Sequence, residues 1–141
     1  MRLLDAAARP SGALRDRLID KGYDDETVAA VVDRLIEVGL VDDESYAQSA
    51  VRYCAGRLMG YRGAVMELAR KGVDRPLAER VCDEARMSGV FEDAAWELGR
   101  RSAAKTRGMD PKVRKRRFWS SGGRKGHDAE TLRAIAHELF D

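Results

Sequence analysis

Apolar positions recur with a helical period at three places along the chain. Each place follows a Lys-Gly pair and carries apolar residues at positions i, i+3, i+4 and i+7. The three sets are Val28, Val31, Val32 and Leu35; Ala78, Val81, Cys82 and Ala85; and Leu132, Ile135, Ala136 and Leu139. Such spacing puts the four side chains of each set on one face of an amphipathic helix. Because no stretch of useful length alternates like a strand, the sequence predicts an all-α protein.

These helical segments belong to an internal repeat. The Lys-Gly pairs begin at residues 21, 71 and 125, which are steps of 50 and 54 residues. When residues 18–58 are aligned on 68–108 without a gap, nine of 41 positions are identical, where chance would give roughly three. We therefore expect a solenoid of three tandem three-helix repeats with about nine helices. The predicted units are 1–41, whose first helix (3–8) is short, 42–91 and 92–141.

Each Lys-Gly pair has the features of a helix end. Lysine suits the negative end of the helix dipole, and glycine adopts the left-handed conformation that closes a helix. We therefore expect positive φ angles at Gly22 and Gly72. The aspartate two residues after each glycine is a candidate N-cap for the next helix. Gly39 and Gly89 are expected to end those second helices in the same way.

The helical pattern also predicts which residues form the core. The apolar stripes and the equivalent aromatic residues Tyr46 and Trp96 are expected to be buried. Phe118 and Trp119 could stack on nucleic-acid bases, but their position near the end of an amphipathic helix favours the core. The predicted buried set includes Val31, Val32, Leu35, Val81, Leu132, Ile135 and Leu139.

Composition narrows the class of protein. The 141 residues are 44% apolar, 35% charged and 6% aromatic, which is too apolar for general disorder and too polar for a membrane protein. No apolar run approaches the ~20 residues of a spanning helix, and no signal peptide is apparent. The two cysteines, at 54 and 82, form neither a disulfide framework nor a zinc spacing. A reduced cytoplasmic location is expected.

Charge is distributed unevenly along the chain. The net charge is +2, but residues 100–127 contain eleven Lys or Arg and one acid, so the rest of the chain is −8. The sequence predicts a basic helix from Lys112 to about Trp119, followed by a mobile glycine-rich loop over 120–126. A solvated face, a nucleic-acid phosphate backbone and an acidic protein groove all remain possible explanations. The candidate binding residues are Arg107, Lys112, Arg114, Lys115, Arg116, Arg117, Arg124 and Lys125.

Catalytic chemistry is not indicated by any group of residues. His127 and His137 have no cysteine or second histidine at metal-ligand spacing. The glycine-rich segment 122–126 lacks the spacing of a phosphate loop and follows no strand. The sequence therefore predicts a non-enzymatic protein without a metal or cofactor.

Several segments resemble the RecX family of recombinase regulators. They are 14–24, 31–35 leading into 39–47, and 67–73, while residues 8–13 and 120–126 depart from the family pattern. The resemblance implies an elongated α-helical solenoid and a non-enzymatic modulator of RecA that lies along the groove of the RecA–DNA filament. There it would hinder strand exchange, ATP turnover and coprotease action. A monomer is expected. The alternative is a helical protein that binds single- or double-stranded nucleic acid without a recombinase.

Overall fold

The computed structural model describes residues 9–141 and is helical throughout that range. The described residues form eight helices and no strand, as expected for an all-α fold. The predicted helix over 3–8 lies outside them. The helices are α1 (Ser11–Asp20), α2 (Asp25–Glu37), α3 (Asp43–Gly56), α4 (Tyr61–Arg70), α5 (Arg75–Met87), α6 (Val90–Lys105), α7 (Pro111–Arg124) and α8 (Ala129–Phe140).

The 50-residue repeat reappears in the helix boundaries. Helices α1, α4 and α7 begin at residues 11, 61 and 111, while α2 and α5 cover 25–37 and 75–87. Helix α7 has 14 residues where α1 and α4 have 10, so the four extra residues of the third copy lie inside this helix. The predicted mobile loop over 120–126 was therefore wrong. Four residues add about one turn, which preserves the buried face of the helix and places Gly122 against the side chain of Leu132.

The ends of the helices largely follow the predicted caps. Gly22 and Gly72 have φ angles of 101° and 102°, as expected. Asp24 accepts a hydrogen bond from the backbone N–H of Thr27 at 2.7 Å, and Asp128 caps α8 in the same way. Asp74 makes no such bond, and Pro76 removes one of the N–H groups open to a capping oxygen.

Three clusters of buried side chains follow one another along residues 9–141. Helices α3, α4 and α5 pack on one another around the second cluster, and α6, α7 and α8 pack around the third. We propose that the unit boundaries 1–41, 42–91 and 92–141 hold, because each cluster lies within one unit apart from Leu58. The first cluster is formed by Leu14, Val28, Val32, Leu35 and Val41.

Leu58 joins the second unit to the third. It has a positive φ of 64°, and its side chain is buried in the third cluster. Gly108, one repeat later, has a φ angle of 86° in the same left-handed region, but it has no side chain. The Nε2 atom of His127 lies 2.7 Å from the Leu58 carbonyl oxygen, and burial lowers the pKa of this histidine. Packing in the next unit thus offsets the backbone strain at Leu58.

Close backbone approaches connect the units. A Cβ added at Gly60 would lie only 2.6 Å from the carbonyl oxygen of Gly126, which is too close for a side chain. The third Lys-Gly turn therefore packs directly on the backbone at the start of α4. The second Lys-Gly turn rests on α1 in the same manner, with Gly72 against Ala13. Ser11 reinforces that first junction, because its N–H and hydroxyl donate to Asp43 at 2.7 and 2.6 Å.

The predicted core is confirmed for Val32, Leu35, Val81, Leu132 and Ile135, and it is wrong for Val31. Val31 is 41% exposed, although Val81, one repeat later, is 3% exposed. Val81 faces α3, whereas the main packing partner of α2 among the described helices is α1. Leu139, Tyr46 and Trp96 are only half-buried. None of the helices in residues 9–141 is long and apolar enough to cross a membrane.

Candidate functional site

Helix geometry divides the basic cluster of α7 between different faces. Successive residues are about 100° apart around a helix, so the cations of α7 cannot all share one surface. Lys115 and Arg116 face a groove against α8, whereas Arg117 and Lys125 face α6 and the end of α3. A cluster that is continuous in sequence is therefore two separate surfaces in space.

Arg114 points into the protein. Its Nε donates to the hydroxyl of Thr106 at 3.1 Å, and its Nη2 donates to the carbonyl oxygen of Ala103 at 3.0 Å. The guanidinium also lies 5.1 Å from the ring centre of Phe140. These contacts hold α6, α7 and α8 together and leave Arg114 less free to meet a ligand than its neighbours.

The first surface is the α7–α8 groove, a concavity of about 840 Å³. Trp119 is 44% exposed in it, whereas Phe118 is fully buried, so only Phe118 fits the expected core role. Lys115 forms an ion pair with Asp141, whose carboxylate lies 2.7 Å from Nδ1 of His137. The ion pair with Lys115, and then the contact with His137, lower the pKa of Asp141. The groove is lined by Lys115, Arg116, Trp119, Glu130, Arg133, Ala134, Ala136, His137 and Asp141.

The second surface is the junction pocket, a concavity of about 390 Å³ between the second and third units. Five cations line it, together with hydroxyl groups and two leucines. The Nζ of Lys125 donates to the carbonyl oxygen of Arg57 at 2.8 Å, which ties the end of α7 to the end of α3. The lining residues are Gly56, Arg57, Leu58, Leu98, Arg101, Ser102, Lys105, Thr106, Arg117, Ser121 and Lys125.

The other predicted residues lie outside both concavities. Arg107 and Lys112 are exposed beside the α6–α7 connection, and exposed Arg124 donates to the hydroxyl of Ser120 at 2.8 Å. Arg57 and Arg133 were not predicted, because each is an isolated cation in sequence and becomes part of a site only through packing.

The two cysteines are buried in apolar surroundings. Cys54 and Cys82 are buried in the second cluster, and burial raises the pKa of Cys82 to about 12. A thiol with so high a pKa stays protonated and is a poor nucleophile. Within residues 9–141, no three His, Cys, Asp or Glu side chains are grouped so that they could hold a metal ion.

Comparison with known proteins identifies the family. The model of the first three-helix domain of RecX matches residues 1–35. The Regulatory protein RecX of Thermobifida fusca is 39% identical over 143 residues, which covers 99% of this chain and 76% of that protein. This chain belongs to the RecX family. The RecX of Mycobacterium sp. (strain JLS) is 51% identical over 77 residues, but that match spans only 41% of its length.

Solved structures support the same fold. The crystal structure of RecX from Lactobacillus salivarius matches 98% of this chain, and 94% of that chain is covered, with a TM-score of 0.80 at 20% identity. The helical repeat expected from the sequence is therefore the fold of this RecX-family protein. The relatives are named regulatory proteins, which agrees with the expectation of a regulator.

Proposed function

We propose that this RecX-family protein binds the RecA–DNA filament in the cytoplasm and restrains its recombinase, ATPase and coprotease activities. Family membership and the charge of the third unit support the proposal. One observation carries it furthest: α7 presents different chemistry on its two sides. A filament made of protein and DNA offers both kinds of complementary surface.

The α7–α8 groove suits a protein surface. It combines the exposed Trp119 and two alanines with charges of both signs, including Glu130 and Asp141. Protein interfaces are rich in aromatic residues and arginine at their centres and carry polar rims. Arg116 is the exposed cation of α7 that lines this groove, so it is the residue we expect to meet RecA there.

The test is the ATPase activity of RecA on single-stranded DNA while this protein is added in increasing amounts. The parent should inhibit, and Arg116→Glu with Arg117→Glu should inhibit less because each side of α7 loses one cation and gains an acid. Circular dichroism should show unchanged helix content, since both side chains are exposed. The control is Arg34→Glu with Arg75→Glu, an equal charge change on exposed residues of the first two units. If the α7 variant inhibits as well as the parent at physiological salt, the docking surface lies on the first two units.

The exposure of Trp119 favours one alternative, a nucleic-acid-binding protein that acts without a recombinase. An aromatic ring beside Arg116 and Arg133 could stack on an unpaired base while the cations contact phosphates. Binding to single-stranded DNA without RecA would then weaken with salt, with a slope of about −0.7 per phosphate contacted, or near −3 for four contacts. Strong binding without RecA, combined with no effect on RecA ATPase, would select this alternative.

A further inference from the structure

The junction pocket concentrates positive charge without an acid in its lining. Arg57 comes from the end of α3, Arg101 and Lys105 from α6, and Arg117 and Lys125 from α7 and its cap. Glu97 lies nearby and pairs with Arg101 at 2.9 Å and with Arg100 at 3.3 Å. Arg57 therefore meets cations that are 44 or more positions away in sequence around one small concavity. A basic face that is simply solvated does not require distant cations to converge in this way.

Helix dipoles explain only part of this charge. Helices α3, α6 and α7 all end at the pocket, and each C-terminus is equivalent to about half a negative charge. With Glu97 included, the negative contribution is about −2.5 against five cations. An excess of about two and a half positive charges remains, and it faces a concavity rather than open solvent.

The donors of the pocket are partly held in place. Lys125 is fixed by the carbonyl oxygen of Arg57 at 2.8 Å. The Arg57 side chain donates to the hydroxyl of Tyr53 at 3.3 Å and lies over its ring. Ser102 and Ser121 are half-buried in the lining and add hydroxyl donors. Donors that are already placed lose less conformational entropy when an anion binds.

We propose that the junction pocket is a phosphate-binding site. A phosphate group carries up to two charges on one small tetrahedral centre, which matches the excess charge, and guanidinium forks bind its oxygens in pairs. A neighbouring concavity of about 460 Å³ shares Arg57 and Lys125 with the pocket and adds Arg70 and Lys71, which both pair with Glu67 in the same lining, so its cations still outnumber its acid. The site thus has room for successive phosphates, either of free polyphosphate or of a nucleic-acid strand.

Binding here bridges two units. Arg57 belongs to the second unit, and Lys105 and Arg117 belong to the third. Because the site exists only when these units are packed together, a bound phosphate stabilises the folded protein. A hundredfold excess over Kd should raise the melting temperature (Tm) by roughly 5–10 °C.

The experiment measures Tm with inorganic phosphate or tripolyphosphate at an ionic strength held constant with sodium chloride. A second arm measures the affinity for a fluorescent oligo-dT strand by anisotropy, with no RecA present. The test variants are Arg117→Gln and Lys105→Gln, both exposed positions whose loss should not unfold the chain. Arg100→Gln is the matched control, because Arg100 is an exposed cation on α6 that does not line the pocket.

Binding of at least one probe should be tenfold or more weaker in both test variants and unchanged in the control. A Tm response to phosphate or tripolyphosphate identifies free phosphate as the source, and a response of oligo-dT alone identifies nucleic acid. The proposal is overturned if no probe binds, or if the control loses as much affinity as the test variants. Neither arm contains RecA. The phosphate proposal and the proposed function, which the ATPase assay tests, can therefore succeed or fail separately.

Discussion

The first and second units follow the same sequence pattern but meet different surroundings. Gly22 and Gly72 have almost the same φ angle, 101° and 102°, yet no atom of residues 9–141 lies within 4 Å of a Cβ added at Gly22. A Cβ added at Gly72 would lie 2.5 Å from the backbone nitrogen of Ala13. Val31 and Val81 differ in the same way, because 41% of Val31 is exposed but only 3% of Val81.

This comparison separates local from tertiary control. The left-handed turn is set by the Lys-Gly pair itself, so it forms identically in both units. Burial depends on the neighbouring helix that packs on the turn or on the stripe. Equal substitutions in the two units therefore measure the contribution of tertiary packing, which is between units at Gly72 and within the second unit at Val81.

The largest difference should come from valine at the two glycines. Gly22→Val should cost about 1–2 kcal/mol, because a β-branched residue is strained at positive φ. Gly72→Val adds a clash with the backbone of Ala13, so the total should reach about 2–5 kcal/mol. Urea unfolding of both variants measures the two free energies. Equal losses would mean that the approach between Gly72 and α1 contributes nothing to stability.

A smaller difference should separate Val81→Ala from Val31→Ala. Truncation of the buried Val81 should lower the free energy of unfolding by about 2 kcal/mol, because apolar contact area is lost and a cavity is left behind. Truncation of Val31, which is largely exposed, should lower the free energy of unfolding by less than about 0.5 kcal/mol. The change in the urea midpoint at constant slope checks both values. A loss at Val31 as large as that at Val81 would place Val31 in a core that the described contacts do not include.

Much of the fold could be predicted because its signals are local. The apolar stripes, the Lys-Gly turns and the 50-residue step all act within a few residues or repeat along the chain. The error over 120–126 arose because glycines favour loops in isolation. Here the close packing of Gly122 against Leu132 favours a small residue inside a helix, which is a tertiary requirement.

The candidate site was harder to predict than the fold. The basic segment identified α7, but the sequence could not show that Arg114 is engaged by Thr106 and Ala103. Nor could it show that Arg57, 60 residues before Arg117, lines the same pocket. Such groupings depend on how one unit packs on the next, which no local pattern encodes.

The smallest expected effect concerns the caps of α2 and α5. Asp24 accepts the backbone N–H of Thr27, whereas Asp74 makes no capping bond with its side chain. At pH 7, Asp24→Ala should therefore lower Tm more than Asp74→Ala does. Thermal unfolding followed by circular dichroism checks this difference.

The difference between the two caps should depend on pH with a definite sign. The hydrogen bond from Thr27 holds the pKa of Asp24 below its ordinary value in the folded protein. The cap therefore stabilises fully above the unfolded pKa of about 4, and this stabilisation is lost as the pH falls through the folded pKa. The Tm of the parent should approach that of Asp24→Ala in acid. A gap between parent and Asp24→Ala that persists unchanged well below the folded pKa would show that the carboxylate charge does not support this cap.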